Sequence, residues 1–299
     1  MIKFDWRNVT GSGAVQSYLQ KLRAQPASTA EGGPLGHGDG AARLIPDPVE
    51  IPGEDKESLD VWGFADSGFA LTESGNVTMR GSRYPLCGEE LPNLIPWIRD
   101  VMEVPIPLDD ICTPAYPPEI PAARRNEAFF TAIEGTLAPD QVTDAADQRL
   151  RHGHGHTQEE MYNIKYGKID RVPDLVVWPT EEEQVETLVK AAGEHGVCLI
   201  PYGGGTSVTH ALQCPTNEDR MIVSVDMRRM NRIEWIDPVN RMARIQAGAV
   251  GRHIIEQLSA HGFTMGHEPD SIEFSTLGGW IATHASGMKK NKYGNIEDL

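Results

Sequence analysis

The chain has 299 residues, with 43 acidic and 27 basic side chains and a formal net charge of −16. Nucleic-acid-binding proteins neutralise phosphates with clustered Lys and Arg, so this balance argues against that class. It also argues against simple electrostatic docking on an anionic membrane. No stretch approaches the roughly 20 consecutive apolar residues of a membrane-spanning helix. Length and an apolar content of 39% predict a globular protein with room for two domains.

The four cysteines show no spacing typical of a metal site. Cys87, Cys112, Cys198 and Cys214 include no C-x-x-C pair. The sequence therefore predicts neither a zinc site nor a disulfide framework from its cysteines.

Composition divides the first half of the chain into two regions. Residues 1–60 include a stretch rich in Gly, Ala, Ser and Pro without periodic apolar residues, which predicts a tail or linker. Residues 61–165 form an N-terminal region in which aromatic side chains return. Its predicted elements are a hairpin turning at 74–76, a helix at 94–101 with Pro96 in its first turn, an extended proline-rich connector at 113–121 and a short helix at 127–135.

Residues 166–299 form the third region, in which strands and helices alternate. Thr180 and Glu183 predict a capping box at the start of a helix that Gly196 ends. The predicted apolar face of this helix is Val185, Leu188, Val189 and Ala192. The predicted strands are 174–178, 197–201, 221–226 and 241–249. A second helix is predicted at 251–261. Residues 275–287 are predicted to be a loop that leads into a tightly packed helix. Strands 174–178 and 197–201 with the helix between them are typical of a βαβ unit.

A glycine loop, Pro201-Tyr-Gly-Gly-Gly-Thr-Ser207, follows the second of these strands. Consecutive glycines allow close approach to a ligand, and their amides can donate to phosphate oxygens together with the Thr206 and Ser207 hydroxyls. The loop lacks the Gly-Lys-Ser/Thr ending of a P-loop, and Val208 occupies the third glycine slot of a dinucleotide fingerprint. Taken alone, the motif leaves a phosphate cradle and an ordinary tight turn equally open.

Two later blocks also combine small and polar residues. Gly266–Gly279 indicates either a second backbone cradle or a flexible loop, and Gly278-Gly279 suggests a helix start pressed against something flat. Lys289, Lys290 and Lys292 form a basic cluster in an acidic chain. Their charge favours a solvated face over a phosphate site.

Three histidines alternate with glycines at His152-Gly-His-Gly-His156. Alternating histidines can ligate zinc when further ligands close the site, and Glu159 and Glu160 are nearby. The glycines predict a flexible run, and no partner motif accompanies it. We therefore expect no metal here and keep zinc as the weaker alternative.

Several motifs together carry a family resemblance, which covers about residues 60–299 and is densest after 171. They are Arg171–Thr180, Leu199–Val208, Gly266–Trp280 and Ala285–Leu299, supported by Met230–Trp235, Trp62–Phe64, Arg83–Leu86 and the histidine run. The chain resembles the vanillyl-alcohol oxidase superfamily with its PCMH-type FAD-binding domain. Within it, the motifs are similar to those of the alkylglycerone-phosphate synthase family of ether-lipid enzymes.

The resemblance implies an α+β fold with an incomplete PCMH-type FAD-binding domain, begun in 166–299 and preceded by a loop-rich N-terminal region. It implies FAD as the cofactor, with its pyrophosphate on residues 201–207. The implied cofactor-binding residues are Pro201, Tyr202, Gly203, Gly204, Gly205, Thr206, Ser207, Asp270, Ser271, Ile272, Glu273, Phe274, Ser275, Thr276, Thr283, His284, Ala285 and Ser286. His284 departs from the pattern, because the family carries Arg there. The catalytic residues, the rest of the FAD domain and a cap domain are expected beyond Leu299, in a longer form of this chain.

The resemblance also implies an activity, that of an alkyl transferase. Such an enzyme exchanges the acyl group of acyl-dihydroxyacetone phosphate for a long-chain fatty alcohol. The flavin N5 attacks the carbon that bears the ester, the fatty acid leaves and the alcohol replaces it, without net redox change. A homodimer, peripheral membrane association of the complete protein and location in the peroxisome or a related organelle are implied too; the visible termini carry no import signal.

Two alternatives remain open. An FAD-dependent 2-hydroxy-acid dehydrogenase has the same fold and uses the same glycine loop. An inactive fragment would bind FAD poorly and expose apolar faces that further residues cover. The amino-acid sequences of Gly266–Trp280 and Ala285–Leu299 favour the alkyl transferase.

Overall fold

The computed structural model describes residues 43–47, 56–59, 61–109 and 118–299. They belong to two compact units, one with 56–58 and 63–109, the other with 43–47, 59, 61–62 and 118–299. Most of the predicted tail and the first part of the proline-rich connector lie outside the described residues. Among the described helices, none is long and apolar enough to cross a membrane.

The described part of the smaller unit forms a three-stranded antiparallel sheet and one helix. Strands β1 (Gly68–Leu71), β2 (Val77–Arg80) and β3 (Glu90–Leu91) pair in sequence order. The predicted hairpin is confirmed, and Gly75 adopts φ 79° in its turn. Helix α1 (Leu94–Met102) matches the predicted helix, and Pro96 lies in its first turn, where the missing amide has no intrahelical partner to lose.

Residues 118–166 of the larger unit include three short helices. They are α2 (Glu127–Ala132), α3 (Ala146–Arg151) and α4 (Gln158–Tyr166). The prediction that α2 reaches residue 135 is wrong, because the helix ends at Ala132 and a turn follows, in which Gly135 adopts φ 76°. Thr157 caps α4 by accepting from the Glu160 amide, and the Glu160 carboxylate accepts from the Thr157 amide. Neither α3 nor α4 is signalled by a long apolar stripe, and both were absent from the sequence prediction.

A four-stranded sheet follows, in the order β4-β5-β7-β6. Its strands are β4 (Val142–Thr143), β5 (Leu175–Val177), β6 (Cys198–Tyr202) and β7 (Ile222–Asp226). The last three are parallel, and the short β4 is antiparallel to β5. The predicted strand-helix-strand order is confirmed, with β7 inserted between the two strands of the βαβ unit. The carboxyl ends of β5, β6 and β7 therefore lie at one edge of the sheet.

Helix α5 (Glu182–His195) connects β5 to β6 and corrects two predictions. The Thr180–Glu183 capping box is wrong, because the Gln184 side chain reaches back and accepts from the Thr180 amide at 2.8 Å. Val189 does not belong to the apolar face, since it is 57% exposed. Leu188, with Ala191 and Ala192, packs on the sheet instead. Gly196 ends the helix in the left-handed region, as predicted.

The remaining residues form a second core. Strands β8 (Ile233–Asp237) and β9 (Met242–Ile245) pair as a hairpin. The predicted strand 241–249 ends early because the Gln246 and Gly248 amides bond to carbonyls near the start of the hairpin. Helices α6 (Gly251–Ala260), α7 (Leu277–Thr283) and α8 (Lys290–Tyr293) follow. The buried side chains of this core are Ile233, Ile236, Ala249, Ile254, Leu258 and Trp280.

Candidate functional site

The glycine loop begins where β6 ends, at the carboxyl edge of the parallel strands. Tyr202 is the last residue of β6 and is paired in register with Asp226 at the end of β7. This edge is where open parallel sheets bind their ligands. Gly205 adopts φ 66°, a conformation that favours glycine.

The loop packs against the second predicted cofactor segment. A Cβ on Gly204 would lie 2.0 Å from the Phe274 carbonyl oxygen, and a Cβ on Gly203 would lie 2.3 Å from Thr276 Oγ1. Neither position can carry a side chain without displacing residues 274–276. The structure thus brings 201–207 and 270–276 together, and the glycines admit a neighbouring main chain as well as any ligand.

Residues 270–276 form a compact turn that α6 and α7 hold in place. Ser271 has φ 60°, and its carbonyl accepts from the Phe274 and Ser275 amides. The Ser275 hydroxyl accepts from Trp280 Nε1 at 2.8 Å. Thr276 caps α7, since its Oγ1 accepts from the Gly279 amide at 3.3 Å. Asp270 is exposed, whereas Ile272 and Glu273 are half-buried.

A third segment, residues 151–156, also contacts the glycine loop. The sequence analysis did not assign it to the cofactor site. The His156 amide donates to the Ser207 carbonyl at 2.7 Å. A Cβ on Gly155 would lie 2.3 Å from the same oxygen. Arg151 Nη2 lies 3.4 Å from the Gly204 carbonyl. The only sequence signal for this segment was its alternation of histidine and glycine.

A buried polar network lies behind the loop. Asp226, at 0% exposure, accepts from Trp178 Nε1 at 2.9 Å, from Arg228 Nη2 at 2.7 Å and from His152 Nε2 at 2.9 Å. Burial raises the pKa of Asp226, but the Arg228 charge and the hydrogen bonds from His152 and Arg228 outweigh burial and hold it well below its usual range. The His152 ring lies 4.2 Å from the Tyr202 ring between centroids. The network therefore fixes the residue from which the loop departs.

The histidine run is rigidly packed, contrary to the prediction that its glycines make it flexible. A Cβ on Gly153 would lie 2.9 Å from Val172 Cγ1. Burial lowers the pKa of His154 to about 4, although its Nδ1 bonds the Gly155 carbonyl at 2.7 Å. No group of three or more metal-ligating side chains occurs within the described ranges. These histidines thus have structural contacts of their own.

The third predicted cofactor segment, 283–286, lies at the far end of α7 from Thr276. With a rise of 1.5 Å per residue, His284 lies about 10 Å along the helix axis from Leu277, the first residue of α7. Thr283, His284 and Ser286 are exposed and Ala285 is half-buried. Within the described residues, no hydrogen bond joins this segment to residues 201–207, so its contact with the cofactor stays a prediction.

The basic cluster is solvent-exposed, as its charge predicted. Lys289 is paired with Glu268, and Lys290 and Lys292 are exposed on α8. A hydrogen bond from Lys292 lowers the pKa of Tyr293. Nothing in these contacts forms a phosphate site.

A cleft of about 520 Å³ borders the loop at Thr206 and Val208. Trp62, Tyr162 and Tyr166 contribute aromatic side chains to its wall. The Trp62 ring also packs edge-on to Phe274, at 5.1 Å between centroids. The cleft therefore places apolar surface directly beside the candidate phosphate cradle.

The loop has free donors for a phosphate. Among the described residues, no acceptor is found for the main-chain amides of Gly204, Gly205 and Thr206. Unpaired amides in a glycine-rich turn after a strand are the donor set of an anion cradle. The residues present therefore fit the diphosphate of a dinucleotide.

Comparison with known proteins identifies the cofactor class. Residues 173–299 match the family model described as FAD binding domain. Alkyldihydroxyacetonephosphate synthase of Caenorhabditis elegans is 44% identical over 238 residues, which cover 80% of this chain and 40% of that protein. The Dictyostelium discoideum synthase is 37% identical, over 77% of this chain and 38% of its own length. Over these residues the chain is similar to the alkyldihydroxyacetonephosphate synthases.

A solved structure of such a synthase supports the same relationship. It superposes with a TM-score of 0.76 and 33% identity, over 84% of this chain and 47% of that one. These matches confirm the predicted α+β, PCMH-type FAD-binding fold and FAD as its cofactor. The chain spans less than half the length of the relatives it matches.

Proposed function

We propose that this chain supplies the FAD-diphosphate cradle of an alkyl transferase in ether-lipid synthesis. The main support for this proposal is that residues 201–207 pack against residues 270–276. This packing occurs in a chain that is similar to alkyldihydroxyacetonephosphate synthases. The amides of Gly204, Gly205 and Thr206 hold the phosphate oxygens. Pro201 to Ser207, Asp270 to Thr276 and Thr283 to Ser286 remain our proposed cofactor contacts.

The proposed reaction exchanges the acyl group of acyl-dihydroxyacetone phosphate for a long-chain fatty alcohol. Bound FAD supplies the reactive flavin, and the protein orients it and excludes water. The residues of this chain hold the cofactor, and the groups that act on substrate belong to further residues of the complete protein. Peroxisomal location, peripheral membrane association and a homodimer are parts of the same proposal, inferred by resemblance.

An assay of the complete gene product tests the reaction. Alkyl exchange is measured with acyl-dihydroxyacetone phosphate and a labelled fatty alcohol, and dye reduction is measured with lactate. The proposal predicts exchange without lactate-dependent reduction. Lactate-dependent reduction without exchange would establish the 2-hydroxy-acid dehydrogenase instead. Absence of both activities and of FAD binding would support the inactive fragment.

A further inference from the structure

Helix α3 ends beneath the glycine loop with a buried arginine. Arg151 is 5% exposed, and its Nη2 lies 3.4 Å from the Gly204 carbonyl oxygen. A Cβ on Gly205 would lie 2.6 Å from Arg151 Nη1. The guanidinium therefore lies against the inner side of the loop at the residue with a positive φ.

Arg151 and its neighbour Arg228 lie near the same ring, that of Tyr202. Both guanidiniums flank the Tyr202 ring, with Cζ 5.7 Å and 5.3 Å from its centroid. Arg151 faces the Gly204 carbonyl and the Tyr202 ring.

We propose that Arg151 is a binding residue for the FAD diphosphate, supplying positive charge from behind the glycine loop. This inference rests on the proposed function of that loop. Because residue 205 has no side chain, only the thickness of the main chain separates the guanidinium from the amides that hold phosphate. A charge acts strongly at such range in a buried setting.

Calorimetric titration with FAD tests the role of Arg151. Arg151→Met and Arg151→Gln remove the charge, and Arg151→Lys keeps it. We expect both neutral variants to lose roughly tenfold or more in FAD affinity, and Arg151→Lys to retain most of it. Arg149→Met is the matched control. Arg149 is equally buried on α3 but donates to the Pro173 and Pro121 carbonyls, away from the loop, so its folded variant should bind FAD like the parent.

The outcomes separate this inference from the proposed function. Neutral variants that bind FAD as tightly as the parent would overturn the role of Arg151 and leave the cradle intact. Equal losses in Arg151→Lys and the neutral variants, or an equal loss in Arg149→Met, would assign Arg151 a packing role and overturn the inference too. A parent chain that binds no FAD would contradict the cradle itself. Circular dichroism of the apoproteins identifies variants that fail to fold. If only one of Arg151→Met and Arg151→Gln folds, that variant alone provides the test.

Discussion

Each glycine of the loop is required by a different neighbour. Gly203 faces Thr276 Oγ1, Gly204 faces the Phe274 carbonyl, and Gly205 faces the Tyr202 hydroxyl while adopting a positive φ. A rigid carbonyl cannot rotate away as a side chain can. Gly204 is therefore the position at which a single methyl group disturbs the site most directly.

Gly204→Ala should destabilise the protein, because the added Cβ collides with the main chain of Phe274. We expect a loss of about 2–4 kcal/mol in the free energy of unfolding, measured by urea denaturation. Gly193→Ala is the control: Gly193 lies on α5 with open space around it and should gain about 0.5–1 kcal/mol. Equal stability of the two variants would show that the loop is not packed as described.

His154 gives the protein a defined sensitivity to acid. Burial lowers its pKa from 6.5 to about 4, so the native state keeps the ring neutral while the unfolded chain takes up a proton below pH 6.5. Stability is thus complete above about pH 6.5 and falls as the pH approaches 4.

Urea unfolding at pH 7 and pH 5 measures this contribution. The parent should lose about 2 kcal/mol more than His154→Gln between these two values. Other acid-sensitive groups, such as Asp226, are common to both proteins and cancel in the difference. The same pH dependence in both proteins would refute the assignment to His154.

At the scale of elements, the segment 270–276 depends on α7 for its shape. Ser275→Ala removes the acceptor of the buried Trp280 indole, which is 2% exposed. An indole N–H left without a partner costs about 1–3 kcal/mol. We expect that loss in urea unfolding, and no change for Ser259→Ala on the exposed side of α6. If both variants match the parent, the hydrogen bond contributes nothing to holding the segment.

The elements that the sequence predicted are those with local signals. The hairpin at 74–76, α1 and the strands β5 to β7 were found because turn residues and apolar runs mark them. The cap of α5 was missed because Gln184 competes with Glu183 for the same amide. Val189 was misplaced because a helix on a sheet buries a narrower stripe than its apolar residues suggest.

The third wall of the site could not be predicted from local pattern. Arg151 and His156 precede the glycines by more than 40 residues in sequence. They reach the loop because α3 packs beside β5. Family resemblance supplied FAD and the segments 201–207 and 270–276. It gave no reason to expect a buried arginine beneath the loop.

At the scale of the whole molecule, our proposal assigns to this chain the diphosphate end of a larger site. All three walls of the cradle lie within the larger unit. The homologous synthases are more than twice as long as the segment they share with this chain. We therefore expect FAD to bind this chain more weakly than it binds the complete protein, with the cradle as the common contact.

Hydrogen exchange with and without FAD tests the central claim most directly, because it reports on the loop amides themselves. FAD should slow exchange in peptides that cover 203–207, where Gly204, Gly205 and Thr206 gain acceptors, and in peptides that cover 270–276. The β1–β2 hairpin should exchange at the same rate in both states. Bound FAD that leaves 203–207 unprotected would contradict the cradle.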